Sequence, residues 1–178
     1  KRQIFKLLTN NFYKMKKIML IILASFMFTA CEQPVAENAG IIQRTDDLST
    51  KVLDLATEYQ NNSYELSRDL YSDTVQTRFN STNIDGLSDL IDGWKQQHVV
   101  FSDIKMSNPY VHTNYFSNGG VWSNFWFTWS ATSNLTGNQL EIRAHFDYKW
   151  EDGKIVVSQG FFADEEFNKE MAAAMKSE

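Results

Sequence analysis

The second half of the chain alternates between apolar and polar residues as antiparallel strands do. From Leu140 to Trp150 every even position is apolar or aromatic and every odd position is charged or carries an imidazole. Val121 to Ala131 also alternates, with aromatic residues at both parities. Ile155 to Phe162 follows Asp152-Gly153, a dipeptide typical of two-residue hairpin turns. We therefore predict three adjacent antiparallel strands.

Turn geometry predicts which residues face each other across these strands. A two-residue turn at Asp152-Gly153 places Asp147 opposite Ser158, and one at Thr136-Gly137 places Trp126 opposite Asp147. One face of the sheet is then aromatic and the other polar. The polar face comprises Arg143, His145, Asp147, Ser158 and Thr128, framed by Trp126 and Phe162.

Helical spacing dominates the segment before these strands. The periodicities predict helices over Leu48–Tyr59, Tyr64–Leu70 and Leu87–His98, strands over Thr74–Phe79, Val99–Met106 and Tyr110–Phe116, and a last helix over Glu165–Met175. Helices that precede a meander, without βαβ alternation, are typical of the α+β class.

The first thirty residues differ in composition from the rest. They hold six basic residues and no acidic one, and the apolar run Ile18–Phe28 is too short to span a membrane as a helix. This layout is typical of a secretory signal peptide, although a buried N-terminal helix is the alternative. Phe28-Thr29-Ala30-Cys31 resembles the lipobox of bacterial lipoproteins, which implies cleavage before Cys31 and its acylation.

These features divide the chain into three parts. We predict a signal peptide with an upstream extension over residues 1–30, a lipid-anchored tether over 31–47 and one domain over 48–178. The protein is then expected in the bacterial cell envelope. Residues 31–178 carry 11 basic and 22 acidic residues, a net charge of about −11, which disfavours nucleic-acid binding. Cys31 is the only cysteine, so no internal disulfide is possible.

Three short stretches resemble the nuclear transport factor 2-like superfamily, in particular its SnoaL-like branch. They are Leu70–Val75, Trp150–Ile155 and Gly160–Asp164. The resemblance implies a cone-shaped fold in which N-terminal helices pack inside a strongly curved antiparallel sheet around a pocket. Isomerases, cyclases, hydratases and proteins without activity share this fold, so it does not determine a reaction.

The resemblance also implies which sheet face lines the pocket. The pocket positions of ketosteroid isomerases fall on Ser158, Gly160 and Phe162, which places the polar face inside. Their catalytic tyrosine and aspartates fall near Leu55, Arg78 and Arg143, none of which matches. Burial alone predicts the opposite arrangement, with the aromatic face on the helices and the polar face in water. We take the polar face to be inside and the aromatic face, with Phe127, Phe146 and Tyr148, to form a homodimer interface.

Three functions are compatible with this arrangement. The first is binding of a small, partly apolar organic molecule by Trp126, Thr128, Arg143, Ser158 and Phe162. The second is a SnoaL-like enzyme in which Asp147 orients His145 for acid/base catalysis, and the third is a protein-interaction module. His145 and Asp147 could equally belong to a solvated charge ladder. His112 could join them at a metal only if it shared their face, and it lacks any spacing motif, so we predict no metal and no cofactor.

Overall fold

The structure is a computed structural model that describes residue 36 and residues 39–176. The predicted signal peptide, the lipidation of Cys31 and most of the tether lie outside the described residues and stay predictions. The described elements are β1 (Gly40–Gln43), α1 (Asp47–Gln60), α2 (Glu65–Leu70), β2 (Tyr71–Phe79), β3 (Thr82–Asp85), α3 (Leu87–Val100), β4 (Phe101–Phe116), β5 (Val121–Ser133), β6 (Gln139–Glu151), β7 (Lys154–Phe162) and α4 (Glu165–Met175).

The strands form one curved, open sheet in the order β1-β4-β5-β6-β7-β2-β3. Neighbouring strands run antiparallel except β2 and β7, which are parallel. The helices pack on one face of this sheet, so the prediction of an α+β fold with helices inside a curved sheet is confirmed. Within the described residues, no helix has the length and apolar character needed to cross a bilayer.

Strand β4 accounts for much of the curvature. The sequence predicted two strands here, whereas the structure has a single strand of 16 residues with two register shifts. Asp103 and Asn108 lie at these shifts with φ of 55° and 52°. A bulge inserts an unpaired residue and bends the strand, and Asp and Asn tolerate positive φ better than most residues.

Two short edge strands lie in segments without a strand pattern. Strand β1 pairs with the end of β4, from Gly40 opposite Phe116 to Gln43 opposite Thr113, although we predicted an aperiodic tether there. Strand β3 folds back on β2 in the segment between the predicted strand Thr74–Phe79 and the predicted helix Leu87–His98. Both strands are only four residues long and lie at the sheet edges, where alternation is weakly enforced.

The pairing of β5 with β6 differs from the predicted register by two residues. Trp126 lies opposite His145 and Asn124 opposite Asp147. The cause is a turn longer than two residues, closed by a bond from the Ser133 amide to the Asn138 carbonyl at 2.8 Å. A shift of two leaves every side chain on its predicted face.

The pairing of β6 with β7 contains a shift of one residue, which has larger consequences. Glu151 faces Lys154 and Trp150 faces Ile155 as predicted, but beyond them Tyr148 faces Ser158. An extra residue at Val156–Val157 therefore interrupts the ladder. A shift of one moves the rest of the strand to the opposite face, so Ser158 and Phe162 share the face of Tyr148 and Ala144 and not that of His145.

The aromatic face of the sheet packs against the helices and the polar face lies outside. Phe125, Phe127 and Trp129 are buried in one cluster with helix residues such as Val52 and Leu90. The prediction that the polar face is inside is therefore wrong, and so is the proposed dimer interface through Phe127, Phe146 and Tyr148. Burial of apolar surface decides the arrangement, because the rings gain free energy by leaving water whereas unpaired charges would lose it.

Candidate functional site

A cavity lies between the helices and the inner face of the sheet. The volume within which the centre of a water molecule can lie is about 90 Å³, well above what a single water needs. Eleven of its eighteen lining residues are aromatic: Tyr59, Tyr71, Phe79, Trp94, Phe125, Phe127, Trp129, Phe146, Tyr148, Phe162 and Phe167. None of the eighteen is charged at neutral pH or carries an imidazole. The cavity is thus apolar, with a few hydroxyl and amide groups.

Trp94 on α3 contacts three neighbouring tyrosines. Its ring stacks on Tyr64 with centroids 5.8 Å apart and forms edge-to-face pairs with Tyr59 and Tyr71, with centroids 6.2 and 5.8 Å apart. Trp94 is at a helix position whose neighbours one turn away, Leu90 and Ile91, are buried. Edge-to-face and offset ring pairs of this kind fix the orientation of each ring.

Hydroxyl groups provide the polar contacts of the cavity wall. Tyr59 donates to Oε1 of Gln97 at 2.6 Å and accepts from Nε1 of Trp129 at 3.3 Å. The Tyr71 hydroxyl is within hydrogen-bonding reach of Ser158 and Tyr148. Burial raises the pKa of Tyr59, Tyr71 and Tyr148. All three phenols therefore keep their protons at physiological pH and take part in hydrogen bonds as neutral hydroxyl groups.

A buried carboxylate lies behind the lining residue Ser67. Glu58 on α1 is 9% exposed and accepts hydrogen bonds from the Leu66 amide at 2.6 Å, the Ser67 amide at 2.8 Å and the Ser67 hydroxyl at 2.6 Å. These amides belong to the first turn of α2, where a helix has unpaired N–H groups and favours negative charge. Glu58 thereby joins α1 to α2 and places one negative charge next to the cavity.

Helix α4 covers one end of the cavity. Phe167 lines the cavity and stacks on Phe101 with centroids 5.3 Å apart. The adjacent carboxylate of Glu170 accepts from Ser133 at 2.6 Å, Thr136 at 2.9 Å and Asn138 at 2.8 Å, all in the β5–β6 turn region. These hydrogen bonds, that of Ser133 first, lower the pKa of Glu170. A buried carboxylate that accepts several hydrogen bonds thus fixes α4 to the sheet.

The structure divides the predicted ligand-binding residues between the two faces. Phe162 lines the cavity, and Ser158 is buried behind it next to Tyr71. Trp126, Thr128, Arg143, His145 and Asp147 lie on the outer face, so the prediction that they surround an interior pocket is wrong. Arg143 is exposed and makes no ion pair with another described residue.

His145 and Asp147 are neighbours on this outer face. Nε2 of His145 is 3.0 Å from Oδ1 of Asp147, yet the angles do not make a hydrogen bond. The same carboxylate oxygen accepts from Asn124, and the His145 ring stacks on Trp126 with centroids 4.1 Å apart and planes within 3°. The pair belongs to a surface arrangement, and its predicted role in acid/base catalysis stays a prediction.

Four rings in register cross the outer face from β4 to β7. This outer row consists of Tyr110, Trp126, His145 and Phe161, each opposite the next across the strands. Tyr110, Trp126 and Phe161 are exposed by 42%, 37% and 53%. His112 stacks on Trp126 at 5.3 Å and so shares this face. Among the described residues, no group of three or more potential metal ligands is close enough together to hold an ion.

Several solved structures share this fold. A candidate polyketide cyclase from Xanthomonas campestris pv. campestris has a TM-score of 0.55 and 10% identity over 69% of this chain and 95% of its own. A candidate isomerase from Bacillus subtilis has a TM-score of 0.53 and 13% identity over 67% and 91%. A ketosteroid isomerase-like protein from Catenulispora acidiphila, in complex with trimethylamine, has a TM-score of 0.52 and 7% identity over 64% and 85%.

At these identities the likeness concerns the fold alone. No family model matches the sequence, and no curated protein matches it either. The neighbours and the arrangement of helices and sheet define the domain as a nuclear transport factor 2-like fold, as the resemblance predicted.

Sequence analysis missed the helical contribution to the cavity. Helical spacing places Tyr59 and Trp94 on the apolar faces of the helices predicted over Leu48–Tyr59 and Leu87–His98. Nothing in helical spacing separates a ring that fills the core from one that borders a cavity. Composition was the available signal for a cavity. Tyrosine and tryptophan, large rings that carry a polar atom, lie on helix faces that aliphatic residues alone could have filled.

Proposed function

We propose that the protein binds a small, partly apolar organic molecule in the cavity between helices and sheet. The observation that carries this proposal is the cavity itself, in which aromatic walls surround a few fixed hydroxyl groups. An apolar site with a small number of placed polar groups is the general form of a small-molecule site.

The solved structures that share this fold support binding of a small organic molecule. Their described activities, polyketide cyclase and isomerase, require an organic substrate in the same fold, and one of them holds trimethylamine. A SnoaL-like enzyme remains the alternative. His145 and Asp147 are unsuited to act on a molecule inside, because the sheet separates them from the cavity. A reaction in the cavity would instead depend on its tyrosines.

The occupant can be sought directly by native mass spectrometry of the purified protein. We expect an added mass that organic extraction removes. Ala144→Phe should abolish it, because Ala144 lines the cavity and a ring there would fill it. Thr128→Phe is the matched control, since Thr128 is on the neighbouring strand but on the outer face. Equal loss of the added mass in both variants, or no dependence on either, would contradict an interior site.

We further propose that the domain is anchored in the cell envelope through acylated Cys31. The support is the sequence alone: a basic start, a short apolar run, small residues and a cysteine. Cys31→Ser should prevent labelling with palmitate and leave a precursor or an unacylated protein. A palmitate-labelled Cys31→Ser protein would contradict this proposal.

A homodimer through the outer sheet face is proposed in place of the interface predicted from sequence. The outer face of β6 carries charges arranged symmetrically about His145. If the outer faces of two copies pack with their β6 strands antiparallel about a two-fold axis at His145, Glu141 of one copy lies opposite Lys149 of the other, and Arg143 lies opposite Asp147. Exposed rings of the outer row would supply the apolar contact.

The charge pattern allows a specific test of this interface. Arg143→Asp should dissociate the dimer in analytical ultracentrifugation, because it sets two carboxylates against each other. Adding Asp147→Arg should restore it, because the opposite-charge pair is rebuilt in the reverse sense. A wild-type monomer at high concentration would contradict the interface.

A further inference from the structure

We propose that the ligand is a small organic cation with a methylated ammonium group, held by ring faces and not by an ion pair with a lining residue. This inference rests on the proposed function, since it names the ligand class for the same cavity. Three properties of the cavity carry it: its rings, its charge and its size.

Trp94 and the two tyrosines next to it are rings of the types that attract cations most strongly. Trp94, Tyr59 and Tyr71 all line the cavity, and Trp94 makes an edge-to-face contact with each of the two tyrosines. The face of an aromatic ring carries negative charge density, and indole and phenol faces are the better cation binders. Tyr59 is held by Gln97 and Trp129, so its ring requires little ordering when a ligand binds.

The charges around the cavity favour a cation over an anion. No lysine, arginine or histidine lines the cavity, so an anion would have no partner there. Glu58 is held in place by three hydrogen bonds directly behind Ser67. Its field reaches the wall: burial is the main cause that raises the pKa of Tyr71, and the Glu58 charge adds to it. The same charge would stabilise a positive ligand.

The size of the cavity favours a compact group. The volume of about 90 Å³ that is open to the centres of water molecules has room for several waters. A trimethylammonium group is compact, and its methyl groups are weakly hydrated, so it loses less on leaving water than a primary ammonium would. The apolar walls then contact the methyl groups while the ring faces balance the charge.

Three probes of nearly equal shape test the charge preference. They are choline, its neutral carbon analogue 3,3-dimethylbutan-1-ol and the anion 3,3-dimethylbutanoate, each titrated calorimetrically into the full-length protein in mild detergent. We expect choline to bind about tenfold more tightly than the alcohol, within the range of cation–π effects, and the anion to bind weakest. An alcohol that binds as tightly as choline, or a preferred anion, would overturn the cation proposal while leaving a small-molecule site in place. If none of the three binds, the cation proposal falls, and native mass spectrometry of the occupant decides the proposed function separately.

Variants locate the effect in the cavity. Trp94→Leu should weaken choline about tenfold and the alcohol much less, because only the cation uses the ring face. Trp94→Phe, which keeps a ring, should lose only part of that affinity and serves if the leucine variant does not fold. Trp122→Leu on the outer face is the matched control and should change neither affinity. Glu58→Gln should weaken choline several-fold and leave the alcohol unchanged. Equal losses for both probes in Trp94→Phe and Glu58→Gln would overturn the proposal.

Discussion

Two rows of side chains cross the same strands one residue apart and have opposite environments. The inner row consists of Phe125, Phe146, Gly160 and Phe79, which face one another in register on β5, β6, β7 and β2. The outer row, Tyr110, Trp126, His145 and Phe161, uses the neighbouring residues of three of these strands. Both rows are rich in rings, so aromatic content alone does not distinguish an interior from a surface.

Charge is what separates the two rows. On β6, His145 of the outer row shares its face with Arg143, Asp147 and Lys149, whereas Phe146 of the inner row shares its face with Ala144 and Tyr148. A buried unpaired charge costs several kcal/mol, whereas a ring at the surface loses only the benefit of burial. The parity that carries charges therefore faces water, even when it also carries tryptophan.

The largest effect should come from placing a charge in the inner row. Phe125→Glu should unfold the domain or destabilise it by more than about 4 kcal/mol, because Phe125 is 1% exposed and has no cationic partner. Trp126→Glu, one residue away, should leave a folded protein. Urea denaturation followed by far-UV circular dichroism measures both. A stable Phe125→Glu protein beside an unfolded Trp126→Glu protein would reverse the two faces.

The alternation along β6 predicted the faces, but the resemblance led to the wrong choice between them. Pocket positions were transferred through Ser158 and Phe162, which do lie inside. The predicted pairing of β6 with β7 contained no bulge, so it put these two residues on the same face as His145. Asp152-Gly153 gave the correct turn, with φ of 48° and 77°. The sequence Lys154-Ile155-Val156-Val157 does not indicate the bulge, because either valine could lie on either face of the sheet.

A second effect concerns Gly160, which lies against the rings of Phe146 and Phe79 in the inner row. A Cβ on Gly160 would lie 2.6 Å from Cε1 of Phe146 and 2.8 Å from Cδ1 of Phe79. Phe79 and Phe146 stack there at 5.3 Å. Gly160→Ala should therefore cost about 1–3 kcal/mol of unfolding free energy through overpacking.

Gly93 provides the matched control for this glycine. It lies inside α3 with open space where a Cβ would be, so Gly93→Ala should stabilise the domain by roughly 0.5–1 kcal/mol. Opposite signs in chemical denaturation are the expected result. A neutral Gly160→Ala would show that the two rings can move apart at no cost.

The anchor of α4 should give a smaller effect that depends on pH. Hydrogen bonds from Ser133 and its neighbours lower the pKa of Glu170 below its ordinary value of 4.5. A lowered pKa contributes stability above the unfolded value, and this stability is lost as pH falls through the folded value. Glu170→Gln should cost about 1–2 kcal/mol at pH 7 and less at pH 3. An equal cost at both pH values would mean that charge is not what anchors the helix.

The smallest effect should come from Asp147 on the outer face, and it decides whether His145 and Asp147 belong to the ligand site. Asp147 accepts from Asn124 and lies 3.0 Å from His145, with 16% of its side chain exposed. Partly exposed pairs of this kind contribute about 1 kcal/mol or less. Asp147→Asn keeps the shape and removes the charge, so it should change the unfolding free energy by less than about 1 kcal/mol. Because the sheet separates this residue from the cavity, the affinity for choline or the naturally bound molecule should not change. A tenfold loss of affinity, with stability intact, would return the pair to the binding site and contradict the separation of the two rows.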